Sequence, residues 1–385
     1  MQQPDVLLSI IIPTKNRYDC LIPVLKATLK YIYSDQLEIV VQDNSSDNKT
    51  MLDSLASFND SRLKYFHHQS NLSVTDNTIL GVKNANGAYL IFIGDDDLVS
   101  PYIIEIVKLM QERKVECLNY KPAHYWWNSV EFSDPNPFNQ KCALWMLENI
   151  STNFQKLDAK KELQAVIQNG GVSYLKLPKF YHGVVKKEIL ENIKDKTGTY
   201  LPGGCPDISF AVSLALVTNH YHYIHFPVSV FGASKNSGGG MSANNTHFML
   251  LDDATFVSKQ TKDNWDIDIP KIWSAHTWNA NSVQEVLKAF HINTRINLEG
   301  LYGSMLAYEK NLISYILPVM HNYCKGNWAK YCRIYWILWR KKAGIIYRKF
   351  QFEKGSTGFT LQIAQDVDTC MDILKKETNL FGSNS

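Results

Sequence analysis

Apolar and polar positions alternate in blocks along the first 120 residues. Residues 7–12 form a short, β-favouring apolar run that ends at Pro13, and residues 18–33 carry apolar positions at helical spacing. A second such unit follows at residues 37–42 and 49–58. Further strands are predicted at 63–67, 88–93 and 115–120, and further helices near 74–85 and 101–113. The alternation predicts an α/β fold with a mostly parallel sheet flanked by helices.

The pattern weakens between residues 121 and 180, where 134–137 read Asp-Pro-Asn-Pro. We expect this stretch to be an insertion or a lid. A helix is predicted at 206–217, and helical spacing dominates from about residue 280 onward. The sequence therefore predicts a domain at 1–260, with halves 1–120 and 121–260, followed by a helical C-terminal region at 261–385.

Composition narrows the class of protein. A formal charge of +3 over 385 residues gives no global sign of a nucleic-acid binder. Seven cysteines without a CxxC pair suit a reducing compartment, and the N-terminus lacks the features of a secretory signal. No stretch reaches the roughly 18 to 20 apolar residues of a membrane-spanning helix. We therefore expect a cytoplasmic protein whose membrane contact, if it has one, is peripheral.

Polar clusters follow three of the predicted strands, at 13–17, 42–47 and 94–97. In a parallel sheet these ends meet at one edge, which is where ligands bind. The adjacent carboxylates of Asp95, Asp96 and Asp97 repel one another unless a cation neutralises them, and carboxylate oxygens suit Mn²⁺ or Mg²⁺. Neutralising one such ligand is expected to weaken the cation without opening a cavity. The alternative is a solvated acidic turn that caps the helix beginning near Pro101.

The motifs SIIIPTKNR, VVQDNSSDN and ANGAYLIFIGDDD, in this order and spacing, resemble those of family 2 glycosyltransferases with the GT-A fold. The resemblance covers about the first 100 residues, and it is specific because three separated motifs agree. It implies a GT-A type nucleotide-binding domain, a nucleotide-sugar donor, a divalent metal and inversion at the anomeric carbon. A uridine donor is preferred on this resemblance and on Asp43.

The resemblance also implies roles for individual residues. Asp43 would contact the base, Asp95 would lie near the ribose and the metal, and Asp97 would be the metal ligand. The segment from Asn71 to Asn77 resembles a family motif, with Ser73 where glycine is usual. Asn77 is then either a donor contact or an ordinary helix cap or exposed polar residue. The complete predicted donor site comprises Pro13, Thr14, Arg17, Asp43, Asn77, Asp95 and Asp96, with Asp95 and Asp97 as metal ligands.

Inversion by direct displacement needs a general base for the acceptor hydroxyl. Asp207 is the candidate, because Gly203, Gly204 and Pro206 could hold its carboxylate at the start of a helix. The alternative is that Asp207 caps this helix. Residues 234–242, which contain Lys235 and three consecutive glycines, could bind phosphates or form a flexible linker. His182, His225 and His247 are left unassigned.

The C-terminal region is basic and aromatic. Residues 310–352 contain nine Lys or Arg residues and no Asp or Glu. On a helix, one side carries Lys330, Arg333, Arg340, Lys341 and Arg348, and the other carries Trp328, Tyr335, Trp339 and Ile346. This pattern is typical of a helix lying on anionic lipid. In the alternative, the aromatic side packs on the first domain and the basic side is solvated.

Together these features predict an inverting glycosyltransferase, peripheral on the inner face of the cell membrane, that transfers a sugar to a glycan or lipid-linked oligosaccharide acceptor. One alternative is a sugar nucleotidyltransferase, but residues 13–17 lack the glycines of its phosphate loop. The other is an inactive module that binds a sugar nucleotide or a membrane.

Overall fold

The computed structural model describes residues 6–133, 138–174, 176–244, 248–353 and 358–381. The predicted break at 134–137 and His247 lie outside the described residues. Within them the strands form an eight-stranded sheet, a five-stranded sheet and a two-stranded sheet. The α/β fold predicted from the alternating pattern is confirmed.

The strands are β1 (Leu8–Thr14), β2 (Leu37–Asp43), β3 (Leu63–His67), β4 (Tyr89–Phe92), β5 (Leu98–Val99), β6 (Cys117–Tyr120), β7 (Ala123–Trp126), β8 (Ala143–Leu147), β9 (Ser151–Asp158), β10 (Gly183–Lys186), β11 (His220–His225), β12 (Ser229–Ala233), β13 (Met249–Leu250), β14 (Ile272–Trp273) and β15 (Phe359–Ile363). The helices are α1 (Tyr18–Tyr31), α2 (Lys49–Phe58), α3 (Val74–Asn84), α4 (Ile103–Glu112), α5 (Ala159–Gln168), α6 (Lys187–Thr197), α7 (Pro206–Val217), α8 (Gly238–Ala243), α9 (Lys259–Asp263), α10 (Ala275–Ala289), α11 (Leu298–Tyr308), α12 (Ile313–Cys324), α13 (Trp328–Glu353) and α14 (Val367–Glu377), with a 3₁₀ turn at Lys310–Leu312.

The large sheet has the strand order β3-β2-β1-β4-β10-β6-β11-β9. Its first four strands are parallel, and β10 runs antiparallel to both β4 and β6. Successive residues of β1 alternate between two cores, since Ile11 lies in one cluster and Ile10 and Ile12 lie in the other. Both faces of the sheet are thus covered, and the carboxyl ends of β1, β2 and β4 share one edge.

The second sheet, β15-β8-β7-β12-β5, contains much of the stretch from 121 to 180. That stretch supplies β7 and β8 to this sheet, β9 to the edge of the large sheet, and helix α5. The expectation of an insertion or lid is therefore wrong for these elements. Strand pairing with β12 and β15, which lie far along the chain, gives them a place that their own short apolar runs do not reveal.

The C-terminal region shares the cores of the first domain. Helix α10 packs on α7, and Val283 and Leu287 lie in the same cluster as Phe210. Strand β15 pairs with β8, and α14 packs against α1. The predicted boundary at residue 260 thus crosses continuous packing, and the division into two parts stays a prediction about folding units.

Helix α13 lies on α11 through its apolar side. Ile334 is fully buried, and a Cβ placed on Gly303 of α11 would come within 2.6 Å of Ile337, so the two helices are in close contact. The large aromatic residues lie on the opposite side, where Trp328 is 79% and Trp339 is 61% exposed. The alternative in which the aromatic side packs on the first domain is therefore wrong. Across the described residues, no helix is long and apolar enough to cross a membrane.

The basic residues of α13 reach back toward the body of the protein. Arg333 Nη2 lies 2.7 Å from Glu299 Oε1, and Lys341 Nζ donates to Asn169 Oδ1 at 2.9 Å. Partners that are absent from the local sequence are thus supplied by α11 and by the end of α5. Fewer basic side chains of α13 are therefore available to contact a membrane than the sequence indicates.

Candidate active site

The polar clusters that follow β1 and β4 meet, as their positions predict. Thr14, the last residue of β1, donates its hydroxyl to Asp95 Oδ2 at 2.7 Å. The same residue lies in register with Asp43 at the end of β2, and its carbonyl accepts the N–H of Asn44 at 3.0 Å. Pro13 precedes it and is partly buried. The three sequence motifs therefore form one edge of the sheet.

Arg17 lies between two of the aspartates. Its Nη1 is 2.7 Å from Asp95 Oδ1, and its Nη2 is 2.9 Å from Asp96 Oδ2. Burial raises the pKa of Asp95 to about 7 and also raises that of Asp96, while the guanidinium opposes both shifts. Burial likewise disfavours the charge of Arg17, but the two carboxylates outweigh it and hold its pKa above the usual value. A buried cation thus compensates charge repulsion within the cluster.

Asp97 is fully buried and surrounded by donors. Gly232 donates its N–H to Asp97 Oδ1 at 2.7 Å, and Oδ2 accepts the Gly94 N–H at 2.6 Å and the Tyr181 hydroxyl at 2.9 Å. His182 Nε2 lies 3.1 Å from the same Oδ2. Although burial acts to raise the pKa of Asp97, His182 and the backbone donors bring it below the ordinary value. The structure thus stabilises an ionised carboxylate here.

The donor set fits a cation at Asp95 better than at Asp97. Within the described residues, the close polar contact of Asp95 Oδ1 is its ion pair with Arg17 Nη1 at 2.7 Å, whereas both oxygens of Asp97 accept backbone N–H groups. No group of three or more His, Cys, Asp or Glu side chains in the described ranges could hold a metal ion. A cation shared with a ligand's phosphates needs only one or two protein carboxylates. Of Asp95 and Asp97, Asp95 makes fewer hydrogen bonds and so fits this requirement better.

Asp43 is fully buried and accepts three hydrogen bonds. The hydroxyls of Tyr18 and Tyr65 each donate to Oδ2 at 2.6 Å, and the Ser45 N–H donates to Oδ1 at 2.7 Å. Burial, together with the bond to Asp43, raises the pKa of Tyr18 to about 12. Contact with a base was predicted for this carboxylate. In the structure, Asp43 accepts hydrogen bonds from Tyr18 and Tyr65, two residues that the sequence analysis did not assign to the site.

Asn77 lies on α3 and is 6% exposed. Its Nδ2 donates to the Gln42 carbonyl at 3.3 Å, while its Oδ1 is buried without a hydrogen-bond partner in the described structure. The reading of Asn77 as a helix cap or exposed residue is wrong, because Ser73 is the cap and accepts the Asp76 N–H at 3.1 Å. The serine that replaces the usual glycine thus starts the helix that carries Asn77.

Asp207 lies in the first turn of α7, after Pro206. The N-cap residue is Cys205, which makes no side-chain cap hydrogen bond, so capping does not explain the aspartate. The Tyr174 hydroxyl donates to Asp207 Oδ2 at 3.0 Å. Burial raises the pKa of Asp207 against the opposing effect of the Tyr174 bond. This carboxylate thus binds a proton more readily than an exposed one.

Several neighbours of the cluster were not assigned to it from the sequence. His182 has a φ of 51°, and a hydrogen bond of 2.6 Å joins its Nδ1 to Ser229 Oγ. Ser234 donates its N–H to Asp96 Oδ2 at 2.9 Å, and its hydroxyl accepts from Arg17. Trp127 Nε1 donates to the Asp96 carbonyl at 2.8 Å. None of these belongs to a local pattern, and a lone histidine is an ambiguous signal.

The glycine-rich segment forms a short helix and is not a flexible linker. Residues Gly238–Ala243 form α8, and Ser237 caps it by accepting the Gly240 N–H at 3.2 Å. Lys235 points to the surface, where its Nζ lies 2.7 Å from Glu131 Oε1. The contribution of the segment to the cluster is Ser234.

A cavity of about 490 Å³ lies beside the aspartates. Most of its wall consists of rings, including those of Trp126, Trp145, Phe231, Phe359, Tyr174 and Tyr181. Tyr181 bonds to Asp97 and Tyr174 bonds to Asp207, so two wall residues are hydrogen-bonded to the two carboxylates. The site therefore has a polar side at the strand ends and an aromatic side in this cavity.

Comparison with known proteins identifies the first part of the chain. Residues 9–166 match the family described as Glycosyl transferase family 2. This range includes the three aspartates and Asp43 but not Asp207. An uncharacterized glycosyltransferase of Rickettsia conorii is 34% identical over 109 residues, which are 28% of this chain and 18% of the relative.

A second relative and a solved structure extend the comparison. The GalNAc(5)-diNAcBac-PP-undecaprenol beta-1,3-glucosyltransferase of Campylobacter jejuni is 27% identical over 187 residues, covering 48% of this chain and 53% of the relative. The crystal structure of S. aureus TarS 1–349 in complex with UDP-GlcNAc aligns with a TM-score of 0.47 and 16% identity, over 80% of this chain and 73% of that chain. The chain thus spans about half or less of the length of these two curated relatives.

Proposed function

Since the chain belongs to glycosyl transferase family 2 through residues 9–166, we propose that it transfers a sugar with inversion from a UDP-sugar to a glycan or lipid-linked glycan acceptor. The product would be part of a bacterial surface polysaccharide, capsule or lipopolysaccharide. The observation that carries the proposal is the meeting of Thr14, Arg17 and Asp95 at the carboxyl edge of the parallel strands, beside a cavity flanked by Asp207.

The nucleotide would lie along the ends of β1 and β2. Pro13, Thr14 and Arg17 would follow the nucleotide, and the Asp43 region would face the base. Asn77 supports this placement, because a buried Oδ1 without a partner is costly unless a ligand donates to it. Asp96 orders the site by holding Arg17 and the Ser234 N–H.

Asp95 would hold Mn²⁺ or Mg²⁺ through Oδ1, the oxygen that pairs with Arg17 and accepts no hydrogen bond within the described residues. A bound cation supplies positive charge where the leaving diphosphate becomes anionic. Asp97 could join as a ligand only by giving up one of its donors, so we assign it the position next to the metal. We therefore propose Asp95 as the first metal contact, whereas the resemblance to the family implied Asp97 as the metal ligand and Asp95 near the ribose and the metal.

Asp207 would be the general base. Tyr174 is its single hydrogen-bond donor within the described chain, which holds Oδ2 and leaves Oδ1 for the acceptor hydroxyl. Because burial raises its pKa, the carboxylate accepts a proton more readily in the transition state. The sugar–oxygen bond to the acceptor forms as the bond to the diphosphate breaks.

Hydrolysis of a panel of UDP-sugars, with Mn²⁺ and with a chelator, tests the proposal. We expect slow release of UDP that requires the metal and accelerates when an acceptor is added. Pyrophosphate release from UTP and a sugar phosphate would indicate the nucleotidyltransferase instead. Binding of UDP without any turnover would indicate an inactive module.

We further propose that α13 holds the protein on the anionic inner face of the cell membrane. Its exposed side presents Trp328, Trp336 and Trp339, which suit the headgroup boundary, and the exposed Arg340 and Lys342 lie on the same helix. Because Arg333 and Lys341 are held by the protein, aromatic burial is expected to contribute more than charge.

Vesicle co-sedimentation tests this contact. The variant Trp328→Ser/Trp336→Ser/Trp339→Ser should lose binding to vesicles of phosphatidylglycerol, while wild type keeps part of its binding at high salt. These side chains are exposed, so the circular dichroism spectrum should not change. Equal binding of both proteins would exclude α13 as the membrane contact.

A further inference from the structure

Lys179 is a partly buried lysine in the wall of the aromatic cavity. It forms part of the cavity wall, and within the described residues its ammonium has no ion pair and no hydrogen bond. Burial lowers the pKa of Lys179 to about 8, although Asp207 nearby acts to raise it. Lys179 thus remains mostly protonated at neutral pH. A partly buried ammonium without a partner is less favourable than a paired one, and an anionic ligand would supply that partner.

The backbone around Lys179 is fixed to the active-site strand. Phe180 is fully buried, its carbonyl accepts the Phe92 N–H at 3.4 Å, and His182 donates its N–H to the Phe92 carbonyl at 3.1 Å. A Cβ on Gly183 would lie 2.1 Å from the Lys179 carbonyl, so this turn tolerates no side chain there. The ammonium is therefore presented from a rigid segment at the end of β4.

Two further groups in the wall favour a polar, anionic ligand over a purely apolar one. Trp145 Nε1 is buried and has no hydrogen-bond partner in the described structure, so its indole N–H could donate to a ligand. Lys121 lies with its Nζ 3.9 Å from the centre of the Phe359 ring, which adds a second positive charge. The described wall contains no Asp or Glu.

We propose that the cavity binds the acceptor sugar, with a ring stacked on the aromatic wall and an anionic group of the acceptor, a phosphate or a carboxylate, paired with Lys179. This inference rests on the proposed transferase function and specifies its acceptor class. Aromatic walls with a few placed polar groups are typical of sites that fix a ligand's orientation. Tyr174 and Tyr181 join the wall to Asp207 and Asp97, so a sugar bound here lies next to the proposed base.

Binding of defined probes tests the acceptor class. Glucose 1-phosphate, methyl glucuronide, methyl glucoside and inorganic phosphate are titrated with UDP and Mn²⁺ in excess, so that the donor subsite is filled. Tryptophan fluorescence reports binding, because Trp126 and Trp145 line the cavity. At least one anionic sugar should bind about tenfold or more tightly than methyl glucoside, since a charge-assisted contact adds to stacking. Comparing the two anionic sugars separates phosphate from carboxylate recognition.

Matched lysine variants assign the preference to one side chain. Lys179→Met should remove the tenfold preference, and Lys179→Arg should retain most of it. Lys176→Met is the control, because Lys176 is exposed on the same segment and should leave binding unchanged. Circular dichroism establishes that each variant folds.

Equal affinity for neutral and anionic sugars, or an unchanged preference in Lys179→Met, would overturn the inference. Hydrolysis of the UDP-sugar without acceptor is measured for wild type and for Lys176→Met, and the two rates should be the same because Lys176 is exposed. If hydrolysis persists while the preference is absent, the acceptor inference fails and the transferase function stands. If the preference is present but no UDP-sugar is hydrolysed, the transferase function fails.

Discussion

Asp97 and Asp207 are both acidic residues of the same site, yet their environments shift the pKa in opposite directions. Asp97 accepts two backbone N–H groups and the Tyr181 hydroxyl beside His182, and its pKa is lowered. Asp207 has Tyr174 alone, and burial raises its pKa. The strand-end side of the site thus stabilises a negative charge, whereas the aromatic side makes a carboxylate ready to take a proton.

The opposite pKa shifts of Asp97 and Asp207 predict opposite dependences of fold stability on pH. An ionised Asp97 stabilises the fold above the unfolded-state pKa of about 3.9, and this contribution is lost as the pH falls through its lowered folded-state pKa. For Asp207 the sign is reversed. The protonated form is favoured in the fold, and its contribution is lost as the pH rises through the raised folded-state pKa. Neutral substitutions at the two positions should therefore have different consequences.

The largest effect is expected for Asp97→Asn. From the sequence, this change should leave the fold intact. The structure changes that expectation, because an amide would direct N–H groups at buried donors. We expect a loss of about 3–5 kcal/mol in the free energy of unfolding, the range for breaking one member of a buried charged pair. Urea unfolding followed by circular dichroism measures it.

The exposed Asp53 provides the control for this variant. Asp53→Asn on α2 should stay within about 0.5 kcal/mol of wild type, as surface substitutions usually do. A fully stable but inactive Asp97→Asn would contradict the role of the donors around Asp97 and would restore it as the first metal ligand.

Asp207→Asn should have the second largest effect, on rate and not on stability. Loss of a general base lowers kcat by about 10²-fold to 10⁴-fold, while the affinity for UDP-sugar stays close to wild type. The free energy of unfolding at neutral pH should be equal or higher, because the disfavoured charge is gone. Steady-state kinetics and urea unfolding measure both. The exposed Asp195→Asn is the control, and a loss below about tenfold would place the base elsewhere.

Tyr174→Phe sharpens the comparison by changing the pKa of Asp207 alone. The lost hydrogen bond stabilises the carboxylate, so its removal raises the pKa further and moves the acid limb of kcat to higher pH. Bonds to charged groups contribute about 1.5–3 kcal/mol, which corresponds to about one to two pH units. The pH profile of kcat measures the shift, and kcat should recover at high pH. Tyr33→Phe, at a 90% exposed position, should leave the profile in place; an identical profile for Tyr174→Phe would remove Asp207 as the titrating base.

Much of the strand-end side could be predicted from the sequence because its signals are local. The motifs after β1, β2 and β4 each follow a buried apolar run, and parallel pairing brings them to one edge. Helices α2 and α7 have the predicted bounds, since their apolar spacing and terminal residues lie within the helix itself.

The aromatic side was largely missed because it is assembled across long sequence separations. Trp145 lies on β8, which pairs with β15 more than 200 residues later along the chain. Lys179 and His182 come from a segment without periodicity, held by backbone bonds to Phe92. These contacts join residues that are too far apart in the sequence for a local pattern to reveal them. The same applies to Arg333, whose acidic partner Glu299 lies on α11.

The smallest effect is expected for Lys235→Ala, which compares an exposed ion pair with a buried one. Lys235 Nζ and Glu131 Oε1 are 2.7 Å apart, the same separation as Arg17 Nη1 and Asp95 Oδ1. Solvent screens the first pair because both side chains are about half exposed, at 51% and 58%. We therefore expect no measurable change in the midpoint of urea unfolding, and a donor KM within about twofold of wild type.

Arg17→Met, which breaks the buried pair, should lower both stability and donor affinity, because it leaves two buried carboxylates without their cation. A clear rise in donor KM for Lys235→Ala would show that Lys235 leaves Glu131 to bind the diphosphate, and the phosphate-binding role considered for the glycine-rich segment would then hold.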